Sequence, residues 1–318
     1  MNNISQLLDN LKRLSDYFSS IEIDDIYTNS KIYEVLMAHS FNHKIINGHA
    51  HTPDAEDEFG NLYEYKHFKV SSSNHTWTFN DFSDKTIEHL NEIAYVYFSI
   101  IDDTIIVPKI AKTYIVSGKE VSRYLVSATL DIQNQRKMIN ISETQIRNNM
   151  AHKLISSYNH KPWKELNEVF LVANELEKTM NIHGILTSNK LWELLVGLKL
   201  NHTVNSDQKK HDASDKYGNT FEYKVSSNAH WTFQDISENV LDSYLSDKCI
   251  ILAVVNKKDF LVERIYACCP PIIVSILKEK LSEKSKKNEE VRRLSASIGI
   301  KDVKYMVDNG CAKRVLPF

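Results

Sequence analysis

Asp54-Ala-Glu-Asp-Glu-Phe-Gly-Asn-Leu-Tyr-Glu-Tyr-Lys66 returns as Asp212-Ala-Ser-Asp-Lys-Tyr-Gly-Asn-Thr-Phe-Glu-Tyr-Lys224, with eight of the thirteen positions identical. Phe59/Tyr217 and Tyr63/Phe221 match in kind, so the copies keep their polar positions and the aromatic ones expected to pack beneath them. Gly60-Asn61 and Gly218-Asn219 are turn dipeptides between β-favouring residues, which predicts a hairpin in each copy. Asp54 then lies roughly opposite Glu64. Side chains alternate along a strand, so Glu64 and Lys66 share a face and Tyr65 takes the other.

Two carboxylates and an ammonium therefore converge. Oxygen ligands of this kind suit a hard divalent cation such as Mg²⁺, which takes one or two carboxylates and keeps several waters. A lysine beside such an ion can orient or deprotonate a water, and the combination suits phosphodiester hydrolysis. A solvated surface hairpin is the bland alternative for one copy, and its repetition at the same spacing argues against it.

These residues resemble the PD-(D/E)xK nuclease superfamily and, within it, the type II restriction endonucleases; the first copy carries the proline as Pro53-Asp54, while the second departs from the pattern with His211-Asp212. The resemblance implies an α/β fold of two tandem restriction-endonuclease-like domains, each a mixed central sheet flanked by helices, forming an internal pseudo-dimer. It implies a site-specific double-strand DNA endonuclease. Asp54, Glu64, Asp212 and Glu222 would hold Mg²⁺, with Mn²⁺ able to substitute. Lys66 and Lys224 would position or activate the attacking water.

The repeat extends outward in both directions. Ile4, Leu7, Leu8, Leu11, Leu14 and Phe18 fall at helical spacing, and a counterpart helix runs from about Trp163 to Met180. Ile26-Tyr-Thr-Asn-Ser-Lys-Ile-Tyr-Glu34 matches Ile185-Leu-Thr-Ser-Asn-Lys-Leu-Trp-Glu193. Thr, Asn and Ser there are expected to cap helices. Glu34 and Glu193 stand at matching places, and the resemblance implies that a helical glutamate upstream of the Asp supports the metal environment. His39, His43, His49 and His51 precede the first hairpin and His202 and His211 the second, without a common spacing, so they read as loop histidines rather than zinc ligands. Asp57 and Asp215, three residues past the key Asp, are expected to cap the turn.

Downstream, Val70 to Asp81 matches Val225 to Asp235 around a shared Trp-Thr-Phe, read as an aromatic pair inside each domain. Around it Asn74, His75, Asn80 and Asn228, His230, Gln234 are candidate DNA contacts. One discordance stands in the alignment. Either His67-Phe68-Lys69 is an insertion, or Lys69 is the partner of Lys224 and His67 falls where Glu222 sits. Each repeat continues with a helix, around Thr86–Asn91 or Val240–Leu245, and an apolar run, Ala94–Ile101 or Cys249–Val255, suited to a central strand buried on both faces. A further helix and a closing basic segment follow. There Arg136 aligns with Arg293 and Asn140 with Ser297, all four candidate DNA contacts.

The chain's 318 residues accommodate two domains, expected at 1–157 and 158–318 with the junction near Ser156–Lys161. No stretch reaches the apolar length of a membrane helix and the opening residues lack a signal-peptide pattern, so a cytoplasmic, bacterial location is expected. Cys249, Cys268, Cys269 and Cys311 lack zinc spacing; the adjacent Cys268-Cys269 reads as a pair of buried small apolar residues rather than a metal or redox site, and all four are expected as reduced thiols. The net charge is 39 − 41 = −2, but setting aside the six carboxylates of the two sites leaves −2 + 6 = +4, so acidity does not argue against DNA. The expected partner is double-stranded DNA, engaged by a monomer. Two alternatives accompany this reading: a nickase or repair-type nuclease with one productive repeat, and a duplicated DNA-binding module without catalysis.

Overall fold

A computed structural model describes residues 2–48, 52–82, 84–130, 137–156, 158, 162–206, 211–287 and 294–316. The chain divides into two compact units, one of Met1–Ile26 with Ser30–Glu175 and one of Tyr27–Asn29 with Leu176–Phe318.

In the first unit the elements run α1 (Asn2–Ser20), α2 (Lys31–Phe41), β1 (Lys44–Ile45), β2 (Ala55–Glu56), β3 (Leu62–Lys69), β4 (Trp77–Phe82), α3 (Asp84–Glu92), β5 (Tyr95–Asp102), β6 (Lys109–Ser117), α4 (Gly118–Thr129), β7 (Lys137–Ile141), α5 (Glu143–Asn149) and β8 (His152–Ile155). Then α6 (Lys164–Met180) begins in the first unit and passes into the second. The second unit continues with α7 (Lys190–Leu200), β9 (Thr203–Val204), β10 (Ala213–Ser214), β11 (Thr220–Ser226), β12 (His230–Phe233), α8 (Glu238–Leu245), β13 (Cys249–Asn256), β14 (Leu261–Cys268), α9 (Pro270–Lys287), β15 (Ala296–Gly299), α10 (Ile300–Asp308) and β16 (Ala312–Leu316).

The two units share one topology. The first sheet has the order β1-β2-β3-β5-β6-β8 and the second has β9-β10-β11-β13-β14-β16, when each is read from its hairpin edge. In each only the central pair is parallel, β3 with β5 and β11 with β13, and every other pair is antiparallel. A separate two-stranded ribbon accompanies each sheet, β4 with β7 and β12 with β15. The fold is thus α/β with a duplicated mixed-sheet domain.

The apolar pattern explains the layering. In α1, Leu7, Leu11, Leu14 and Phe18 are buried, the one-face spacing of an amphipathic helix. The six residues Val96–Ile101 of β5 are all buried, because Val96, Phe98 and Ile100 enter a core with Trp77, Phe79, Leu90, Val121 and Leu125 while their alternates face the opposite layer. In the second unit Ile250, Leu252 and Val254 of β13 join Trp231, Phe233, Leu241 and Leu277 in the same way. The Trp-Thr-Phe segments are therefore structural: each indole N–H donates to a β-strand carbonyl, Trp77 to Ser99 at 2.9 Å and Trp231 to Ala253 at 2.8 Å.

Three expectations are corrected. Ser30 and Asn189 precede α2 and α7 without a side-chain capping bond, because Ser30 is left-handed (φ 63) and Asn189 is not extended (φ −81, ψ 11), unlike the β-region backbone of a capping residue; Ser188 Oγ in that stretch does accept a helix N–H, from Lys190 at 3.3 Å. The halves do not close on a basic segment: those segments run into the strands β7 and β15, after which a helix and an edge strand follow, α5-β8 and α10-β16. Phe59 and Tyr217 do not pack beneath the hairpin; at the turn apex they are 81% and 77% exposed, whereas Tyr63 and Phe221 are buried. His49, His51, Arg136 and Arg293 lie outside the described residues.

Candidate active site

Each hairpin is built the same way. Ala55 pairs with Tyr63 and Ala213 with Phe221, which sets Asp54 across from Glu64 and Asp212 across from Glu222. The turns need glycine at Gly60 and Gly218, both at φ 79. Asp57 Oδ1 accepts the N–H groups of Phe59 and Asn61 at 2.9 Å, and Asp215 Oδ1 accepts those of Tyr217 and Asn219 at 2.9 and 3.0 Å. These two aspartates cap the turns.

Asp54 and Asp212 are fixed by the strand opposite. Tyr65 N–H donates to Asp54 Oδ2 at 2.6 Å and Tyr223 N–H to Asp212 Oδ2 at 2.8 Å. Two residues along each strand, the lysine reaches back to the glutamate: Lys66 Nζ to Glu64 Oε1 and Lys224 Nζ to Glu222 Oε1, both at 2.5 Å. The ammonium groups lie over aromatic rings of the ribbons, Lys66 at 5.2 Å from the Phe79 centroid and Lys224 at 5.4 Å from that of Phe233.

The matched contacts settle the discordance in the alignment. In the parallel register Glu64 faces Val96 and Lys66 faces Phe98, while Glu222 faces Ile250 and Lys224 faces Leu252. Lys66 is thus the counterpart of Lys224. His67-Phe68-Lys69 lengthen β3 beyond the site, where Lys69 Nζ lies 3.6 Å from Asp103 and Phe68 packs on Trp77.

Glu34 and Glu193 belong to the same electrostatic neighbourhood. Each is paired one helical turn back with a lysine, Lys31 to Glu34 at 2.8 Å and the buried Lys190 to Glu193 at 2.6 Å. Glu34 acts on both Asp54 and Lys66, and Asp212 and Lys224 act on Glu193. The shared Lys31 and Lys190 escaped the sequence reading, although both stand three residues before their glutamates.

The two centres differ in what surrounds the glutamate. His89 on α3 places Nε2 3.1 Å from Glu64 Oε2, a contact without a signal in the sequence. Burial works against the charge of Glu64, yet Lys66 and His89 hold its carboxyl down at about 2. Burial raises Glu222 to about 7, and Asp212 and Asp247 add to the rise that Lys224 opposes. Asp247 is itself buried and lies 2.7 Å from Nδ1 of His211, the residue standing where the first copy has Pro53. Burial, followed by Glu64 and Glu34, pushes Asp54 well above the ordinary carboxylate range. The lysines remain ammonium: burial opposes their charge, but the glutamates beside them raise both above the usual lysine value.

A half-buried group of carboxylates in which charge raises a neighbour's pKa is relieved by a cation, so the donor chemistry fits a hard divalent ion. Among the described residues no group of three or more His, Cys, Asp or Glu side chains is arranged to hold a metal. The hairpins would supply two carboxylates each, the number that leaves Mg²⁺ its waters.

His43 and His202, expected as unmatched loop residues, are counterparts. Their Nδ1 atoms lie 2.8 Å from the hydroxyls of Tyr65 and Tyr223, and their rings stack on Tyr63 and Phe221 at 3.9 and 4.1 Å. Tyr65 occupies the strand face opposite Glu64 and Lys66, so these histidines support the hairpin from behind. Burial lowers His43 to about 4 and lowers His202 as well.

The proposed DNA contacts gather on and beside the ribbons. Thr78 pairs with Asn140 and Thr232 with Ser297, joined by side-chain hydrogen bonds of 2.7 and 3.1 Å. Asn80, Asn140, His230 and Gln234 are exposed there, and Ser297 is half-buried. Asn74 and Asn228 are exposed but engaged in turns, accepting from Thr76 at 2.6 Å and Ser226 at 2.8 Å. His75 stacks on Phe68 at 5.5 Å. Among the described residues no helix is long and apolar enough to cross a membrane. No family model matches the chain, and no curated protein matches it in sequence.

Proposed function

We propose that the chain is a Mg²⁺-dependent, site-specific double-strand DNA endonuclease of the type II restriction kind, with one catalytic centre in each unit. The observation that carries this reading is the duplicated constellation itself. Asp54, Glu64 and Lys66 repeat as Asp212, Glu222 and Lys224, with the same backbone bond to the aspartate and the same lysine–glutamate contact. Keeping two such half-buried charge clusters, with Glu222 buried outright, is costly unless they serve a ligand.

Asp54 with Glu64, and Asp212 with Glu222, would hold the ion, supported by Glu34 and Glu193. A bound divalent cation supplies charge neutralisation at the scissile phosphate and a more acidic water. Lys66 and Lys224 stay protonated, so they serve as donors that orient the attacking water or the phosphate rather than as free bases. The exposed polar edges of the ribbons offer contacts to base edges and phosphates. Two centres in one chain suit two antiparallel strands, the two units acting as an internal pseudo-dimer.

The unequal surroundings of Glu64 and Glu222 favour a second reading, a nickase or repair-type nuclease in which one centre alone is productive. Lys66→Ala and Lys224→Ala, tested separately on supercoiled plasmid with Mg²⁺, distinguish the two. Two productive centres predict that each variant nicks without linearising. A single productive centre predicts that one substitution is silent. No cleavage by the unsubstituted chain across a broad set of DNA sequences, with either Mg²⁺ or Mn²⁺, would refute both in favour of a non-catalytic DNA-binding module.

A further inference from the structure

All four cysteines of the chain come together at one end of the second unit's sheet. Cys249 opens β13, Cys268 closes β14 and Cys269 follows it, and the Cys269 N–H donates to the Cys311 carbonyl at 2.8 Å. Ile250 pairs with Cys268 in the antiparallel register, so one step outward sets Cys249 beside Cys269. The first unit shows the same step: Val96 pairs with Val116 and Tyr95 with Ser117.

The thiols of this row differ in their surroundings. Cys268 is fully buried in the core with Ile250, and burial pushes its thiol up to about 12. Because side chains alternate, Cys249 and Cys269 both turn to the face opposite that core. Directly opposed residues on antiparallel strands have Cα atoms about 4.5–5.5 Å apart, within the span a disulfide requires. Cys268 is buried as expected, but Cys269, expected to be buried with it, is exposed because it stands past the end of β14 on the other face, and Cys249 is half-buried. Burial and the neighbouring Cys269 both raise the Cys249 thiol, which places the two groups within electrostatic reach. Cys311 is the other neighbour of Cys269, but its sulfur is turned to the Asn309 carbonyl, 3.6 Å away.

We propose that Cys249 and Cys269 form a dithiol redox site that closes to a reversible cross-strand disulfide on meeting a small disulfide oxidant such as oxidised glutathione. The exposed Cys269 thiolate attacks one sulfur of the oxidant, forming a mixed disulfide and releasing one glutathione thiolate. Cys249, once deprotonated, attacks the Cys269 sulfur, forming the intramolecular bond and expelling the second thiolate. The dithiol loses two protons and two electrons, and the oxidant leaves as two glutathione thiols. Cys249 is the register partner of Phe221, immediately before Glu222, so the bond would close behind the second centre, on the sheet face opposite Glu222 and Lys224. Tyr95 and Ser117 hold the corresponding places in the first unit, which has no such chemistry.

The test uses the full chain at mildly alkaline pH with oxidised glutathione, then alkylation under denaturing conditions, trypsin digestion and mass spectrometry. The expected product is a Cys249 peptide joined to the Cys268–Cys269 peptide, two hydrogens lighter than the sum. Fragmentation between the adjacent cysteines assigns the bridge to Cys269, and dithiothreitol reverses it. Cys249→Ser is expected to retain glutathione on Cys269, and Cys311→Ser to leave the bridge unchanged. A Cys269–Cys311 bridge, glutathione persisting on Cys269 beside a free Cys249 in the unsubstituted chain, or no modification at all would each overturn the proposal. The unsubstituted chain alone decides, so a variant that fails to fold does not protect it.

Discussion

Glu64 and Glu222 occupy matching positions, yet neutralising them is expected to move stability in opposite directions. Glu64 falls from 4.5 to about 2 on folding, and Glu222 rises from 4.5 to about 7. At about 1.4 kcal/mol per pH unit, each change corresponds to roughly 3 kcal/mol. The depressed Glu64 contributes stability that is present above pH 4.5 and is lost as pH falls toward about 2. Glu64→Gln should therefore destabilise the first unit by up to about 3 kcal/mol at pH 8. The raised Glu222 behaves in reverse: its cost is absent below pH 4.5, grows through the interval to about pH 7 and is complete above it. Glu222→Gln should therefore stabilise the second unit by up to about 3 kcal/mol at pH 8 and by little at pH 5. For units of this size that corresponds to roughly 6–12 °C in melting temperature. The assay is hydrogen exchange of the full chain in EDTA at both pH values, following peptides of β5 for one unit and β13 for the other. Stability shifts of the same sign for the two variants at pH 8, or a Glu222→Gln gain that does not grow with pH, would refute the opposite roles of the two glutamates.

His89→Ala should slow strand cleavage by the first centre and leave the second unaffected, since His89 contacts Glu64 Oε2; nicking rates in the Lys224→Ala and Lys66→Ala backgrounds separate the two. Trp77→Phe and Trp231→Phe leave the Ser99 and Ala253 carbonyls without their buried donor and should each cost about 1–3 kcal/mol, measured by urea unfolding. The cleaved sequence is expected to be asymmetric, because Asn80 faces outward where the other ribbon has Gln234, and Asn140 where it has Ser297. Sequencing of the ends from a digested random library checks this, and a perfect palindrome would contradict it.

What the sequence disclosed about this protein follows from how close in the chain the interacting residues are. Asp54, Glu64 and Lys66 sit on two paired strands joined by a tight turn, so their convergence is a local consequence of period-two alternation and a Gly-Asn turn. The hairpin, the glutamate–lysine face and the Asp57 cap all rest on contacts spanning eleven residues or fewer. The residues that make the two centres unequal come from farther away. His89 reaches Glu64 across twenty-five positions from a helix whose sequence carries no mark of that role, and in the second unit Asp247 reaches His211 from beyond α8. His43 and His202 were obscured differently: counting all the loop histidines hid the one matched pair, whose identity depends on a tyrosine two strands away in the sheet. The same locality explains the cysteines, which look scattered over 63 positions, 311 − 249 + 1, and meet only when β13, β14 and β16 align. The duplicated motif therefore keeps one internal geometry in surroundings that differ, and any difference between the two proposed centres is expected to trace to His89 on α3 and to the His211–Asp247 pair rather than to the shared Asp, Glu and Lys.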